Sequence, residues 1–225
     1  MPLQAYKQTY FYQHRFVFLL CSLLLFILVQ PLIKVHVIGV DGGQLVAAAI
    51  YISAVLCVAE KLSQVAIAVM ISIPALIFGV SDSQSGIAIS IFLDICLLAY
   101  TGMRLIRYMF SGRKMSENAL MSAICLYLML GIIFAHTFLL LTVLSGKAVV
   151  IYKSGVPAST MSELLYFSYV TLTSVGYGDV HPVTPFARSL ATIEAITAQL
   201  FLAVLVGRFV GIRLPSKSNE DETPA

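Results

Sequence analysis

The chain has 225 residues, of which 59% are hydrophobic and only 11% are charged. A water-soluble domain cannot bury so much apolar surface, so the composition excludes a soluble globular fold and indicates a polytopic membrane protein. A helix that crosses about 30 Å of hydrocarbon needs roughly 20 predominantly apolar residues. We predict an all-α integral membrane protein whose six transmembrane helices lie at residues 16–33, 42–59, 62–80, 87–108, 119–144 and 185–210.

Basic residues are distributed unevenly among the predicted loops, although the net charge is only +3. Ten of the fourteen lie on one side of the predicted membrane: Lys7, Arg15, Lys61, Arg104, Arg107, Arg113, Lys114, Arg208, Arg213 and Lys217. Because basic residues concentrate on the cytoplasmic side, we predict that both termini are cytoplasmic and that the segment between the fifth and sixth helices faces outside. We expect a multi-pass protein of the plasma membrane, and the plain, short-tailed design favours a bacterial inner membrane.

The chain divides into two predicted modules and a tail. Residues 1–115 form a four-helix N-terminal transmembrane module, and residues 116–213 form a helix, a re-entrant segment and a final helix. Residues 214–225 are polar and contain two prolines, so we expect a disordered cytoplasmic tail.

The first module does not have the charge pattern of a voltage sensor. Such a sensor needs a ladder of about four or more basic residues at every third position, because each charge contributes only about 2.3 kcal/mol per 100 mV. Arg104 and Arg107 have this spacing, Phe110 breaks it and Arg113 resumes it. We therefore interpret these arginines as topology anchors.

The re-entrant segment begins with a helix-capping motif and ends with alternate glycines. Thr160 and Glu163 fit a capping box, which predicts a short helix from Met161 to about Leu172. The carbonyl end of this helix carries roughly −0.5 charge and favours a cation. In the following residues 173–179, TSVGYGD, alternate glycines permit positive φ, so successive carbonyls can stack along one axis and replace the water around a potassium ion.

Residues 171–179, followed by Pro182-Val183-Thr184, resemble the pore domain of the potassium channel superfamily. The resemblance covers roughly residues 120–213 and is to the bacterial two-helix-pore type, here with four extra N-terminal helices. It implies a selectivity filter formed by Thr173, Ser174, Val175, Gly176, Tyr177, Gly178 and Asp179. Potassium would bind at the carbonyls of Ser174, Val175, Gly176 and Tyr177. Because each chain has one copy of the motif, the resemblance also implies a homotetramer.

The residues that support the filter depart from the family pattern. Ser174 replaces the usual threonine, so the hydroxyl remains but a methyl group that restrains the rotamer is lost. The chain has no tryptophan, whereas many relatives use tryptophans to brace the filter. Tyr166 is placed to bond Asp179 from behind, and Val170 stands where some bacterial relatives carry a glutamate. The expected supporting residues are Thr160, Glu163, Tyr166 and Val170.

The last helix contains the candidate gate residues. The family's hinge glycine falls at Ala198, so bending there is not supported. Gly207 and Gly211 are one turn apart and either form a lower gate or allow ordinary close packing. Gln199 is a candidate to face the cavity, and Glu194 either lines the pore or bonds a neighbouring helix.

Three of the ionisable residues outside the filter segment are interpreted individually. Asp94 is the charge well inside the fourth helix, and its partner is not evident from the sequence. His136, in the fifth helix, is interpreted as a hydrogen-bonded packing residue in preference to a sensor. His181 follows the filter, where protonation would slow cation entry, although a solvated rim residue is the simpler interpretation.

These patterns predict a potassium-selective channel that conducts passively through a tetrameric, carbonyl-lined filter. The expected partners are identical subunits, membrane lipids and permeant potassium ions, with no nucleic acid, no cofactor and no enzymatic site. Two alternatives stay open. One is a weakly selective cation channel, if Ser174 and the missing tryptophans loosen the filter. The other is a non-conducting membrane sensor or regulatory subunit. The sequence identifies no gating stimulus.

Overall fold

The structure is a computed structural model that describes residues 15–34, 49–54, 62–81, 83–111, 117–152 and 154–213. The helices are α1 (Arg15–Lys34), α2 (Leu62–Gly79), α3 (Gln84–Ser111), α4 (Glu117–Ser145), α5 (Met161–Leu172) and α6 (Pro185–Arg213). Residues 49–54 are also helical. Two short strands, β1 (Val149–Ile151) and β2 (Val180–Pro182), lie on either side of α5. Neither strand was predicted from the sequence.

Four helices in the described part of the chain are long and apolar enough to cross a membrane: Arg15–Ile33, Gln84–Phe110, Asn118–Ser145 and Pro185–Arg208. Helix α2 supplies a shorter apolar stretch, Ser63–Gly79, where the span 62–80 was predicted. Most of the predicted span 42–59 lies outside the described residues, as do residues 112–116, where the two predicted modules meet, and the tail at 214–225. The described part of the chain is therefore mostly helical, as expected of an all-α membrane protein.

Helix α4 is the central element, since α1, α3, α5 and α6 all pack against it. Its side chains Met129, Ile132 and Phe138 are fully buried, and Leu97 of α3 and Leu164 of α5 lie in the same core. Lipid tails are as apolar as these side chains, so close packing and polar bonds hold such helices together more than the hydrophobic effect does. Contacts of α4 therefore position α5 and the segment after it.

The two strands join the end of α4 to the start of α6. They pair antiparallel, with Val149 opposite Pro182 and Ile151 opposite Val180. The Val183 N–H also donates to the carbonyl of Ala148 at 3.0 Å. Helix α5 and the residues after it consequently begin and end at the same end of the α4–α6 pair.

Helix α6 begins at a well-defined cap. Pro185 occupies the first helical position, where its missing N–H costs nothing. The Thr184 hydroxyl accepts a hydrogen bond from the Ala187 N–H at 3.2 Å, as an N-cap residue does. The apolar side chains beyond this cap are largely exposed in the single chain, Phe186 at 81% and Leu200 at 61%.

Candidate functional site

The site is built on α5, whose start is set by the predicted capping box. Thr160 has an extended backbone, and its hydroxyl accepts the Glu163 N–H at 3.4 Å. The Glu163 carboxylate accepts the Thr160 N–H at 3.2 Å in return. Such a cap contributes about 0.5–2 kcal/mol to helix stability. The structure thereby confirms the predicted short helix, with the same bounds, Met161–Leu172.

Two side chains of α5 hydrogen-bond to the backbone of α4. The Ser168 hydroxyl lies 2.7 Å from the carbonyl of Gly131, and the Tyr169 hydroxyl donates to the carbonyl of Leu128 at 2.7 Å. The ring of Tyr169 lies so close to Gly131 that a Cβ at residue 131 would be 2.5 Å from a ring carbon. Sequence reasoning missed Gly131; a glycine inside an apolar helix was the available signal.

Hydrogen bonds at the end of α5 fix the orientation of the peptide groups that follow it. The carbonyl of Val170 accepts the N–H groups of Val175 at 3.0 Å and Gly176 at 3.3 Å. Each of these N–H groups shares a trans peptide with the carbonyl of the preceding residue, which points the opposite way. The carbonyls of Ser174 and Val175 therefore point away from α5. Val170 was predicted as a supporting residue, and its contact to the segment is through its backbone carbonyl.

Residues 173–179, which we call the filter segment, alternate in backbone handedness. Ser174, Gly176 and Gly178 have φ values of 60°, 61° and 79°. Positive φ was expected at the glycines, but Ser174 is the described non-glycine residue that also adopts it. This conformation costs an L-residue roughly 1–2 kcal/mol, and such strain is commonly found at functional sites. Every residue of the filter segment is exposed in the single chain.

The end of the filter segment at Asp179 is held by Tyr166 of α5 and by Tyr152, the residue that follows β1. The Tyr166 hydroxyl donates to the Asp179 carboxylate at 2.8 Å, and this bond raises the pKa of Tyr166. The rings of Tyr166 and Tyr177 stack, with an interplanar angle of 3°. The Asp179 carbonyl accepts the Tyr152 N–H at 2.7 Å. Tyr166 therefore occupies the bracing position that the sequence analysis considered for it.

The beginning of the filter segment, at Ser174, contacts α6. The side-chain amide of Gln199 donates to the Ser174 hydroxyl at 2.8 Å, so Gln199 bonds the segment directly. Ala198, beside it, is fully buried, and it stands where the resembling family has its hinge glycine. The bond to Gln199 restrains the Ser174 side chain, which lacks the β-methyl group of threonine.

Glu194 is fully buried within the single chain. Its Oε1 bonds the Ser168 hydroxyl, and its Oε2 has no hydrogen-bond partner among the described residues. Of the two alternatives left open by the sequence, the structure therefore has Glu194 bonded to a neighbouring helix, α5.

The gate glycines of α6 remain a prediction. A Cβ at Gly207 would meet no described atom within 4 Å, so nothing in the described part of one chain packs against it. Gly211 lies on the last described turn of α6.

Comparison with known proteins identifies the region that contains this site. Residues 122–212 match the family model described as "Ion channel". The chain is 33% identical over 59 residues to Two-pore potassium channel 5 of Arabidopsis thaliana, covering 26% of this chain and 14% of that relative. It is 35% identical over 66 residues to Two-pore potassium channel 4 of the same plant, covering 29% and 23%.

The chain thus spans less than a quarter of the length of these relatives. No solved structure matches. The family match includes α5, the filter segment and α6, which contain the alternating backbone and its supporting contacts. Residues 122–212 thus match an ion channel family and are similar to potassium channels over part of their length, which confirms the resemblance predicted from the sequence.

Proposed function

We propose that the protein is a potassium-selective channel that conducts potassium passively through the filter segment. The observation that carries this proposal is the alternation of left-handed backbone at Ser174, Gly176 and Gly178. It is combined with carbonyls at Ser174 and Val175 that point away from α5. A strand of this kind presents carbonyl oxygens on one side, where they can replace the hydration shell of potassium.

In this proposal α5 is a re-entrant pore helix. It has 12 residues, and at 1.5 Å per residue a helix of this length reaches only about 18 Å, too short to cross about 30 Å of hydrocarbon. The pairing of β1 with β2 brings the entrance and exit of the excursion together, which supports a return to the side of entry. Non-helical backbone at membrane depth then lines an ion path, where it is tolerated.

We further propose that the channel is a homotetramer. A closed filter needs four such strands around one axis. The exposure of the whole filter segment in one chain supports this assembly, since Val175 is 52% exposed and Tyr177 is 70% exposed. An open groove of about 800 Å³ also runs between α1 and α5, with Gln30, Tyr166 and Tyr177 in its walls. A neighbouring subunit would occupy such a surface.

The conduction path in this proposal uses backbone and neutral polar groups. The Ser174 hydroxyl forms its innermost ring, positioned by Gln199. The carbonyl end of α5 favours a cation below the filter. Glu194 is directed toward Ser168, so its carboxyl group stays out of the ion path.

The remaining features of the proposal concern the membrane around the pore. In the proposal the protein has six transmembrane spans, among them α2 and residues 42–59. Both termini are cytoplasmic, and Gly207 and Gly211 form a lower gate. The distribution of basic residues supports this orientation. The resemblance to the bacterial two-helix-pore type supports a bacterial inner membrane, although the matched relatives are plant proteins.

The test is ion flux into liposomes that contain only the purified chain, with potassium and sodium compared. The variant is Gly176→Ala, and the matched control is Gly155→Ala. Their φ values are 61° and 62°, and a Cβ at either residue would meet no atom within 4 Å in one chain. Both alanines are therefore strained equally, by roughly 1–2 kcal/mol, but only one lies in the filter segment.

We expect potassium-selective flux that Gly176→Ala abolishes and Gly155→Ala retains. Equal sodium and potassium flux would favour the weakly selective cation channel. Equal loss of flux in both variants would mean that backbone strain, and not the filter, limits conduction. Absence of flux from the unmodified chain at every voltage and pH would favour a non-conducting regulatory subunit.

A further inference from the structure

A small cavity lies away from the filter segment, where the first helices meet the ion channel domain. Its volume is about 30 Å³. It is lined by Phe26 of α1, Ile50 and Tyr51 of the helical residues 49–54, Asp94 and Leu98 of α3, and Ile132 and His136 of α4. The proposed conduction path uses none of these residues, and among the described residues the titratable groups in its walls are Tyr51, Asp94 and His136.

The hydrogen bonds around this cavity determine which nitrogen of His136 carries a proton. His136 Nδ1 lies 2.8 Å from the carbonyl oxygen of Ile132, which can only accept, so Nδ1 donates. His136 Nε2 faces Asp94 Oδ2 at 3.8 Å. The other oxygen of Asp94 accepts the Tyr51 hydroxyl. The Phe26 ring stacks on the imidazole, with ring centroids 6.1 Å apart.

If His136 is neutral and Asp94 is ionised, no proton lies between His136 Nε2 and Asp94 Oδ2. A neutral imidazole protonated at Nδ1 presents a lone pair at Nε2, and an ionised carboxylate presents another at Oδ2. The two side chains are only 9% and 15% exposed, so bulk water does not screen the two facing acceptors. A proton taken up from solution by Nε2 makes the imidazole a cation that attracts the Asp94 carboxylate as an ion pair at the observed 3.8 Å, and a small approach of the two side chains would convert the pair to a charge-assisted hydrogen bond. Without this proton, a bridging water must donate to both Nε2 and Oδ2, and the cavity has the volume of about one water molecule.

The two protonation states hold the helices together differently. With the proton bound, an imidazolium–carboxylate pair, or the equivalent neutral pair, joins α3 directly to α4 and leaves no net buried charge. When the proton returns to solution, a buried carboxylate remains, stabilised by the Tyr51 hydroxyl and a water. The ion pair between α3 and α4 is then lost.

The part of α4 that carries His136 is also the part that holds α5. Leu128 and Gly131 supply the carbonyls that bond Tyr169 and Ser168, and Gly131 lies little more than one turn before His136. A change in the α3–α4 bond at His136 therefore acts on the stretch of helix that positions α5 and the filter segment.

We propose that Tyr51, Asp94 and His136 form a buried proton-binding site through which the helices before the pore control the position of α4. The proton is the ligand, and α3 and α4 are the elements that it joins. The effect on conduction rests on the proposed function, whereas proton binding itself does not.

The critical variant is Asp94→Asn. Its side-chain oxygen accepts the Tyr51 hydroxyl as before, and its N–H₂ group supplies a permanent donor toward His136 Nε2. Asparagine has nearly the shape of aspartate, so the fold is preserved while the titration is removed. His136→Gln is a second variant that removes the imidazole. The matched control is His181→Gln, which removes the histidine next to the filter segment.

Proton binding is measured on the full chain in lipid bilayers by magnetic resonance of isotope-labelled histidine, with the His136 signal assigned from its loss in His136→Gln. We expect a pH-dependent shift of His136 Nε2 that Asp94→Asn abolishes and His181→Gln leaves unchanged. A His136 signal that does not change with pH in the unmodified chain, or that titrates equally in Asp94→Asn, overturns the site.

Coupling is measured as potassium flux against pH in the same bilayers. We expect the flux to change with pH, Asp94→Asn to behave at every pH as the unmodified chain does at low pH, and His181→Gln to keep the pH response. If His181→Gln alone removes the response, or if His136 titrates while flux stays constant, the coupling is refuted. Absence of flux from the unmodified chain refutes the proposed function instead, while the resonance experiment still decides the proton site.

Discussion

Replacing Gly131 with alanine should displace α5 and lower conduction without touching the filter segment. The new Cβ would lie 2.5 Å from one carbon of the Tyr169 ring and 2.7 Å from the next. The ring is anchored at its far end by the hydroxyl bond to the Leu128 carbonyl, so it cannot rotate away while keeping that bond. Either α5 moves away from α4 or the hydroxyl bond breaks.

The expected cost follows from these contacts. Overpacking a well-packed site costs typically about 1–3 kcal/mol, and loss of the Tyr169 hydroxyl bond adds about 1 kcal/mol. Alanine gains back about 1 kcal/mol over glycine in helix propensity. The net destabilisation should therefore be about 1–3 kcal/mol. Because Ser168, Tyr169 and Val170 are consecutive on α5, the filter segment should shift with the helix and potassium flux should fall.

The assay combines thermal denaturation of the reconstituted protein with potassium flux. The control is Gly102→Ala, a buried helical glycine of α3 whose Cβ would lie 3.3 Å from a methyl group of Leu126, a contact that a small side-chain movement relieves. We expect Gly102→Ala to be nearly neutral. A double-mutant cycle with Tyr169→Leu should give a coupling energy of about 1–3 kcal/mol, since removing the ring removes the clash. Full stability and flux in Gly131→Ala, or no coupling to residue 169, would refute the reasoning.

Two other predictions concern polar contacts of α5. The Ser168 hydroxyl has one proton, and if it donates this proton to the Gly131 carbonyl, the Glu194 carboxyl group must donate to Ser168. Glu194→Gln keeps such a donor, so it should keep stability and flux. Ser168→Ala removes both bonds and should lower the free energy of unfolding, measured by thermal denaturation, by about 1–3 kcal/mol. A larger loss in Glu194→Gln than in Ser168→Ala would contradict this. The Asp179 carboxylate raises the pKa of Tyr166 above its ordinary value of about 10, so their bond should persist below that pH and be lost as pH rises through the raised value. Tyr166→Phe should abolish any alkaline loss of potassium selectivity, measured as the permeability ratio to sodium; an unchanged alkaline response would exclude this bond as its cause.

Features that depend on neighbouring residues were predictable. The capping box of Thr160 and Glu163 sets the start of α5 because both partners lie within one turn. Positive φ at Gly176 and Gly178 was expected because glycine lacks a Cβ. Positive φ at Ser174 was missed because a serine does not signal it, and it depends on the turn that Val170 closes with its carbonyl.

The sequence by itself determined the membrane class, the short helix α5 and the resemblance of residues 173–179 to a potassium-channel filter, because composition, capping and backbone preference are local properties. The tertiary structure alone decided that Glu194 bonds Ser168 and that the Tyr169 ring packs against Gly131. It also decided that Tyr51, Asp94 and His136 line one cavity. The reason is physical. These helices are apolar nearly all round, so hydrophobic periodicity does not identify their facing sides, and the partners of their few polar groups depend on how the helices pack.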